Sequence, residues 1–141
     1  MEQPYIYKYR PQHLKDFVVD NNLTNNNIKL CETFIKINKV SLLIVGEPGT
    51  GKTSLINSII NDYYGDEYNN INIMSINSLK EQGISYYRNE VKTFCQTMST
   101  INNKKKFLIL DDIDILNEQS QQVFRNCIDK YSNNVNFLLS C

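Results

Sequence analysis

Apolar positions along the chain fall into two rhythms: short solid runs, and longer stretches spaced by threes and fours. Over 24–37, Ile28, Cys31, Phe34 and Ile35 recur at helical spacing and predict an amphipathic helix, entered from the asparagine cluster at 21–27. Next comes Ser-Leu-Leu-Ile-Val at 41–45, a short run rich in branched residues that reads as a buried strand. A glycine-bearing loop at 46–51 leads into a helix over 52–61. A second strand is predicted at 71–76, then a helix over 85–98 with Val91, Phe94, Cys95 and Met98 on one face. Phe-Leu-Ile-Leu at 107–110 is a third strand. A helix over 118–131 turns Val123, Phe124, Cys127 and Ile128 inward, and a fourth strand begins at 136–140. Strands alternating with helices of this length predict an α/β fold: a parallel sheet flanked by helices and wound by right-handed crossovers.

The loop between the first strand and its helix carries the clearest chemistry. Gly46-Glu47-Pro48-Gly49-Thr50-Gly51-Lys52-Thr53 matches G-x-x-x-x-G-K-[ST] in full, after an apolar strand and before a helix, where the mechanism requires it. Glycines there let successive backbone N–H groups turn inward around a phosphate, and the helix N-terminus adds its positive dipole end. In such a loop Lys52 offsets the charge of the β- and γ-phosphates of ATP, and the Thr53 hydroxyl ligates Mg²⁺.

The third strand ends in two carboxylates, Asp111 and Asp112. Downstream of a phosphate loop the first such acid holds Mg²⁺, and the second, in many of these ATPases, activates the attacking water. One strand lies between the two motifs. Another strand must therefore lie beside the phosphate-loop strand or be inserted next to it, as in the RecA-like and AAA+ branch of P-loop ATPases. No NKxD-type guanine signature points to a GTPase, and nothing positive points to a small-molecule kinase.

Bulk composition adds limits. At 141 residues, 41% hydrophobic and 21% charged, the chain is expected to form one soluble domain. With no net charge, a nucleic-acid contact must come from a local patch. No apolar run is long enough to span a bilayer and no secretion signal opens the chain, which predicts an intracellular protein without a membrane partner. Cys31, Cys95, Cys127 and Cys141 are far apart, form no CxxC pair, and read as small buried residues. His13 is given no role. The run Lys104-Lys105-Lys106 reads as a solvated turn.

Several motifs in order resemble the small subunits of replication factor C, the DNA sliding-clamp loader. Pro4-Tyr5-Ile6-Tyr7-Lys8-Tyr9-Arg10-Pro11 is similar to that family's W-x-x-K-Y-R-P opening, and Leu14-Lys15-Asp16-Phe17-Val18 to its L-x-D-F/V-V/I-G. Ile76-Asn77-Ser78 resembles L-N-A-S-D. Gly83-Ile84 followed by Arg88 and Lys92 resembles R-G-I-x-x-x-R-x-x-I/V-K, and 119–132 resembles Q-x-A-L-R-R-x-M-E-K-Y-S. The resemblance implies an AAA+ ATP-binding domain over 1–141. It further implies a segment over 1–22 that covers the adenine, with Arg10 near the phosphates and Val18 beside the base. Arg88 and Lys92 would track the DNA backbone. ATP and Mg²⁺ would be the cofactors; other clamp-loader subunits, the sliding clamp and primer–template DNA would be the partners, in the nucleus or at a cytoplasmic replication site.

Three departures qualify that picture. Asp112 stands where the family's D-E-A-D has Glu, withdrawing the carboxylate by roughly 1.5 Å. Gln82 stands where the family has Arg. The chain stops at Cys141, before the family's sensing Asn, last strand, lid and collar, so the strand over 41–45 is expected to keep one neighbour. Alone, the chain is expected to be marginally stable and without measurable ATPase activity. A non-hydrolysing structural subunit and a different AAA+ remodeller are the alternatives.

Overall fold

A computed structural model describes residues 4–18, 22–77 and 83–141. In chain order the elements are α1 (Tyr5–Lys8), a 3-10 turn (Leu14–Asp16), α2 (Asn22–Lys36), β1 (Leu42–Ile44), α3 (Lys52–Tyr64) and β2 (Ile73–Asn77). They continue through α4 (Ile84–Tyr86), a π-helical turn (Tyr87–Val91), α5 (Lys92–Gln96), β3 (Lys106–Asp111), α6 (Glu118–Tyr131) and β4 (Val135–Ser140). The four strands form one parallel sheet in the order β1-β4-β3-β2. β4 is thus inserted between the phosphate-loop strand and the acidic strand. β1 lies at the edge with β4 as its one strand partner among the described residues, and Leu43 and Val45 stand exposed there.

Alternation along the central strands sends side chains into two cores. Leu108 and Leu110 of β3 and Val135 and Phe137 of β4 pack with Val91, Cys95, Phe124 and Cys127 on one face. Phe107 and Ile109 of β3 and Leu138 of β4 pack with Leu14, Cys31, Ile56, Ile59 and Tyr63 on the other. Both faces are covered, which is why these strands read as unbroken apolar runs. Cys31, Cys95 and Cys127 are buried free thiols, and Cys141 is half-buried.

Three expectations change. Residues Asn70–Asn72 form a 3-10 turn and β2 starts at Ile73, leaving Ile71 exposed. The cause is local: the Asn69 side chain accepts from the Ile71 N–H at 3.0 Å, and the buried Asn72 amide bonds Thr100. Met98 does not face the core; it is 82% exposed. α5 stops at Gln96 because Thr97 turns extended and its hydroxyl bonds the Phe94 carbonyl. The lysine run is not a solvated turn either. The Lys104 ammonium bonds the Tyr63 carbonyl at 2.7 Å, Lys105 bonds that of Ser132, and buried Lys106 bonds the Phe94 carbonyl and the Thr97 hydroxyl. Burial pulls the Lys105 and Lys106 pKa values down.

The N-terminal segment is tied to α3. Asp62 accepts from the Leu14 N–H at 2.8 Å and pairs with His13 Nδ1 at 2.6 Å. Asn61 and Ser58 bond the Gln12 and Pro11 carbonyls, and Leu14 is buried beneath. His13 therefore has a structural role that its polar neighbours in sequence do not reveal. Backbone N–H groups of His13 and Gln12 in turn hold the Asp16 carboxyl below the usual carboxylate range. Among the described residues, no helix is long and apolar enough to cross a membrane.

Candidate functional site

The loop after β1 is shaped by its glycines. Gly49 and Gly51 have φ of 82° and 92°, in the region that favours glycine. A Cβ on Gly46 would meet the Thr50 hydroxyl at 2.9 Å. That hydroxyl bonds the Glu47 carbonyl at 2.8 Å and closes the turn. α3 begins at Lys52 with no side-chain cap and no acidic residue in its first turn. Its leading N–H groups lack the usual intrahelical partners and its dipole end is positive. Such a terminus is suited to an anion.

Across from the loop, Asp111 closes β3. One of its carboxylate oxygens accepts from the Thr53 hydroxyl at 3.3 Å, and the other from the Ser140 hydroxyl. Asp112 follows in the left-handed conformation, φ 55° and ψ 54°, with its N–H donating to Ser140 Oγ at 3.2 Å. The Lys52 ammonium is folded onto its own loop and bonds the carbonyls of Gly46 and, at 3.1 Å, Glu47. Pro48, Gly49, Gly51, Lys52, Thr53, Ser54, Asp111 and Asp112 line one cleft of about 410 Å³. A threonine hydroxyl and a carboxylate are hard oxygen donors of the kind Mg²⁺ takes.

The other expected site residues lie elsewhere. Arg10 is outside this cleft, in a neighbouring cavity of about 420 Å³ that it lines with Tyr5, Tyr7, Tyr9, Pro11 and Ser54. Ser54 belongs to both spaces, so the N-terminal tyrosines abut the phosphate-loop cleft. Val18 is 89% exposed and lines neither. It follows a turn in which Leu14 alone is buried. Arg88 and Lys92 are exposed and line a separate groove of about 890 Å³, facing Glu118, Gln122 and Lys130 of α6. Cys127 also lines that groove; its hydrogen bond with Cys95 lowers its pKa and pushes that of Cys95 up. Ser78 and Gln82 lie outside the described residues.

Residues 42–141 match the family described as ATPase family associated with various cellular activities (AAA). The chain belongs to the AAA family of ATPases. This AAA chain is 36% identical to replication factor C subunit 3 of Schizosaccharomyces pombe over 98% of its own length and 39% of that protein's. It is 33% identical to the replication factor C small subunit of Methanococcus maripaludis, over its whole length and 44% of that protein's. The AAA chain therefore spans about two fifths of the relatives it matches. Its fold is that of RuvB from Thermotoga maritima, with a TM-score of 0.66 at 19% identity over 94% of this chain and 41% of that one. AMPPCP-bound DnaA from Aquifex aeolicus is similar, with a TM-score of 0.63 at 17% identity over 92% and 41%.

Proposed function

We propose that this chain is the ATP-binding part of a DNA clamp-loader subunit, acting within the cell where DNA is replicated. The observation that carries the ATP site is the convergence of Gly49, Gly51, Lys52, Thr53, Asp111 and Asp112 on one cleft. Similarity to replication factor C subunits over nearly the whole chain supports the clamp-loader reading. In this reading Lys52 leaves the carbonyls of Gly46 and Glu47 and moves onto the β- and γ-phosphates. The Gly49–Gly51 turn and the start of α3 turn their N–H groups to the same phosphates. Thr53 and Asp111 are the residues that would hold Mg²⁺, and Asp112 would orient the attacking water. Mg²⁺ held by Thr53 and Asp111 would supply positive charge to offset that of the phosphate oxygens. Tyr5–Arg10 would cover the adenosine end, a role supported by the cavity that meets the cleft at Ser54.

ATP binding would bring the subunit into a ring with related subunits that grips the sliding clamp and primer–template DNA, and hydrolysis would release both. Arg88 and Lys92 would meet the DNA backbone. Their exposure on one groove with Lys130 supports a local basic strip on a chain of zero net charge.

A second reading is favoured by one residue. Asp112 is one methylene shorter than the Glu of the replication factor C motif, and a misplacement of that order costs up to ~10²-fold in rate. A subunit that binds ATP without hydrolysing it is the result if the shorter side chain cannot reach.

Three measurements check these readings. Replacing Lys52 with Ala should weaken Mg²⁺–ATP binding by about 2–5 kcal/mol in calorimetric titration, since buried anionic oxygens lose their cation. Unchanged affinity would sink the phosphate-loop assignment. Phosphate release by the assembled complex should rise in Asp112→Glu and fall in Asp112→Asn; if neither variant moves it, the non-hydrolysing reading stands. For the DNA contact, the double variant Arg88→Ala, Lys92→Ala should weaken binding alike on all sequences. Its log–log salt slope should be shallower by about one unit per lost phosphate contact, and an unaltered slope returns both side chains to an ordinary solvated face.

A further inference from the structure

Ser140 is the last residue of β4 and is fully buried. In the ladder it pairs with Ile44 of β1, two residues before Gly46, and it follows Leu139, which pairs with Leu110 of β3. It therefore sits between the two strand ends that carry the phosphate loop and the acids. A hydroxyl has one proton to give and lone pairs to receive with. Here the proton goes to Asp111 Oδ1, and a lone pair receives the Asp112 N–H at 3.2 Å. The second Asp111 oxygen faces Thr53. Asp112 is held left-handed, a conformation that costs an L residue energy and persists where its surroundings over-determine it.

We infer that Ser140 is a positioning residue of the ATP site: its hydroxyl fixes the carboxylate of Asp111 and the backbone of Asp112 before Mg²⁺ and nucleotide arrive. This rests on the ATP-site reading proposed above. A buried serine that only needed satisfaction could have bonded a carbonyl of its own strand. Instead both bonds cross to the end of β3, and one goes to a charged acceptor, the stronger kind. Because Ser140 engages Oδ1, it does not compete for Oδ2, the oxygen turned toward Thr53. Its bond to the Asp112 N–H ties the turn that carries the second acid to the same point. One hydroxyl thereby ties the carboxylate of Asp111 and the backbone of Asp112 to the end of β4.

The test compares the full chain with Ser140→Ala and Ser140→Cys, a variant of similar size with a weak donor. ATP is titrated calorimetrically in Mg²⁺ and in EDTA. Ser140→Ala should lose ~10–100-fold of the Mg²⁺-dependent gain in affinity, the usual cost of removing a partner of a metal ligand. Affinity in EDTA should be unchanged, and Ser140→Cys should fall between. A full Mg²⁺-dependent gain in Ser140→Ala overturns the inference. So does a loss in EDTA as large as the loss in Mg²⁺, which marks general disruption. If Ser140→Ala does not fold, Ser140→Cys decides: a full gain in that variant overturns the inference, and a reduced gain supports it. Unsubstituted chain that binds no ATP in either buffer overturns the ATP-site reading itself, a failure visible before any variant is made.

Discussion

Parallel pairing of β4 with β1 on one side and β3 on the other puts three strand ends on a single edge of the sheet. A parallel ladder points every strand the same way, so the loops that leave the strands all emerge on one side, where open α/β sheets bind ligands. Neighbouring strands are ~4.8 Å apart, so β1 and β3 end roughly 10 Å from each other. That is room for the glycine loop to turn back toward Asp111 and leave a cleft between them. Ser140 stands at the midpoint and bonds the carboxylate of Asp111 and the backbone N–H of Asp112.

The frame around that edge is stiffened by polar contacts as well as by apolar packing. Lys104, Lys105 and Lys106 each give an ammonium to a backbone carbonyl, and Lys104 and Lys106 also lie over the rings of Tyr63 and Phe94. These cations lie at the start of β3 and satisfy carbonyls where α3, α5 and α6 end. Hydrogen bonds to charged groups contribute ~1.5–3 kcal/mol each. Asp62 does the converse for the N-terminal segment, receiving the Leu14 N–H and His13 and so pinning the tyrosines beside the cleft.

The phosphate loop is legible in the sequence because its geometry needs glycine at given places, and Gly49 and Gly51 adopt the positive φ that only glycine takes easily. The helix Glu118–Tyr131 is legible as well, since its buried Phe124 and Cys127 follow helical spacing. Insertion of a strand beside β1 can be expected from the motif order, but which strand cannot, because spacing along a chain does not encode pairing order. Ser140 looks like the mere polar end of an apolar run for the same reason: its partners are 28 and 29 residues away. Periodicity misplaces Met98 and Ile71 because local side-chain bonds, from Thr97 and Asn69, end or delay the regular element. The lysine run misleads because charge in a sequence says nothing of which carbonyls lie within reach. Adenine-side residues rest on resemblance alone, and of these Arg10 lies one cavity away from the phosphate loop while Val18 faces solvent.

In the function proposed, the cleft between the glycine loop and Asp111 takes the phosphates of ATP. A crystal structure of the full chain with Mg²⁺ and a non-hydrolysable ATP analogue tests it most directly. The triphosphate is expected against the N–H groups of 49–53, with the Lys52 ammonium moved from the Gly46 and Glu47 carbonyls onto the phosphates. Asp111 should still be bonded to Ser140. An analogue bound elsewhere, or a Lys52 ammonium still on those carbonyls with the cleft filled, would contradict it.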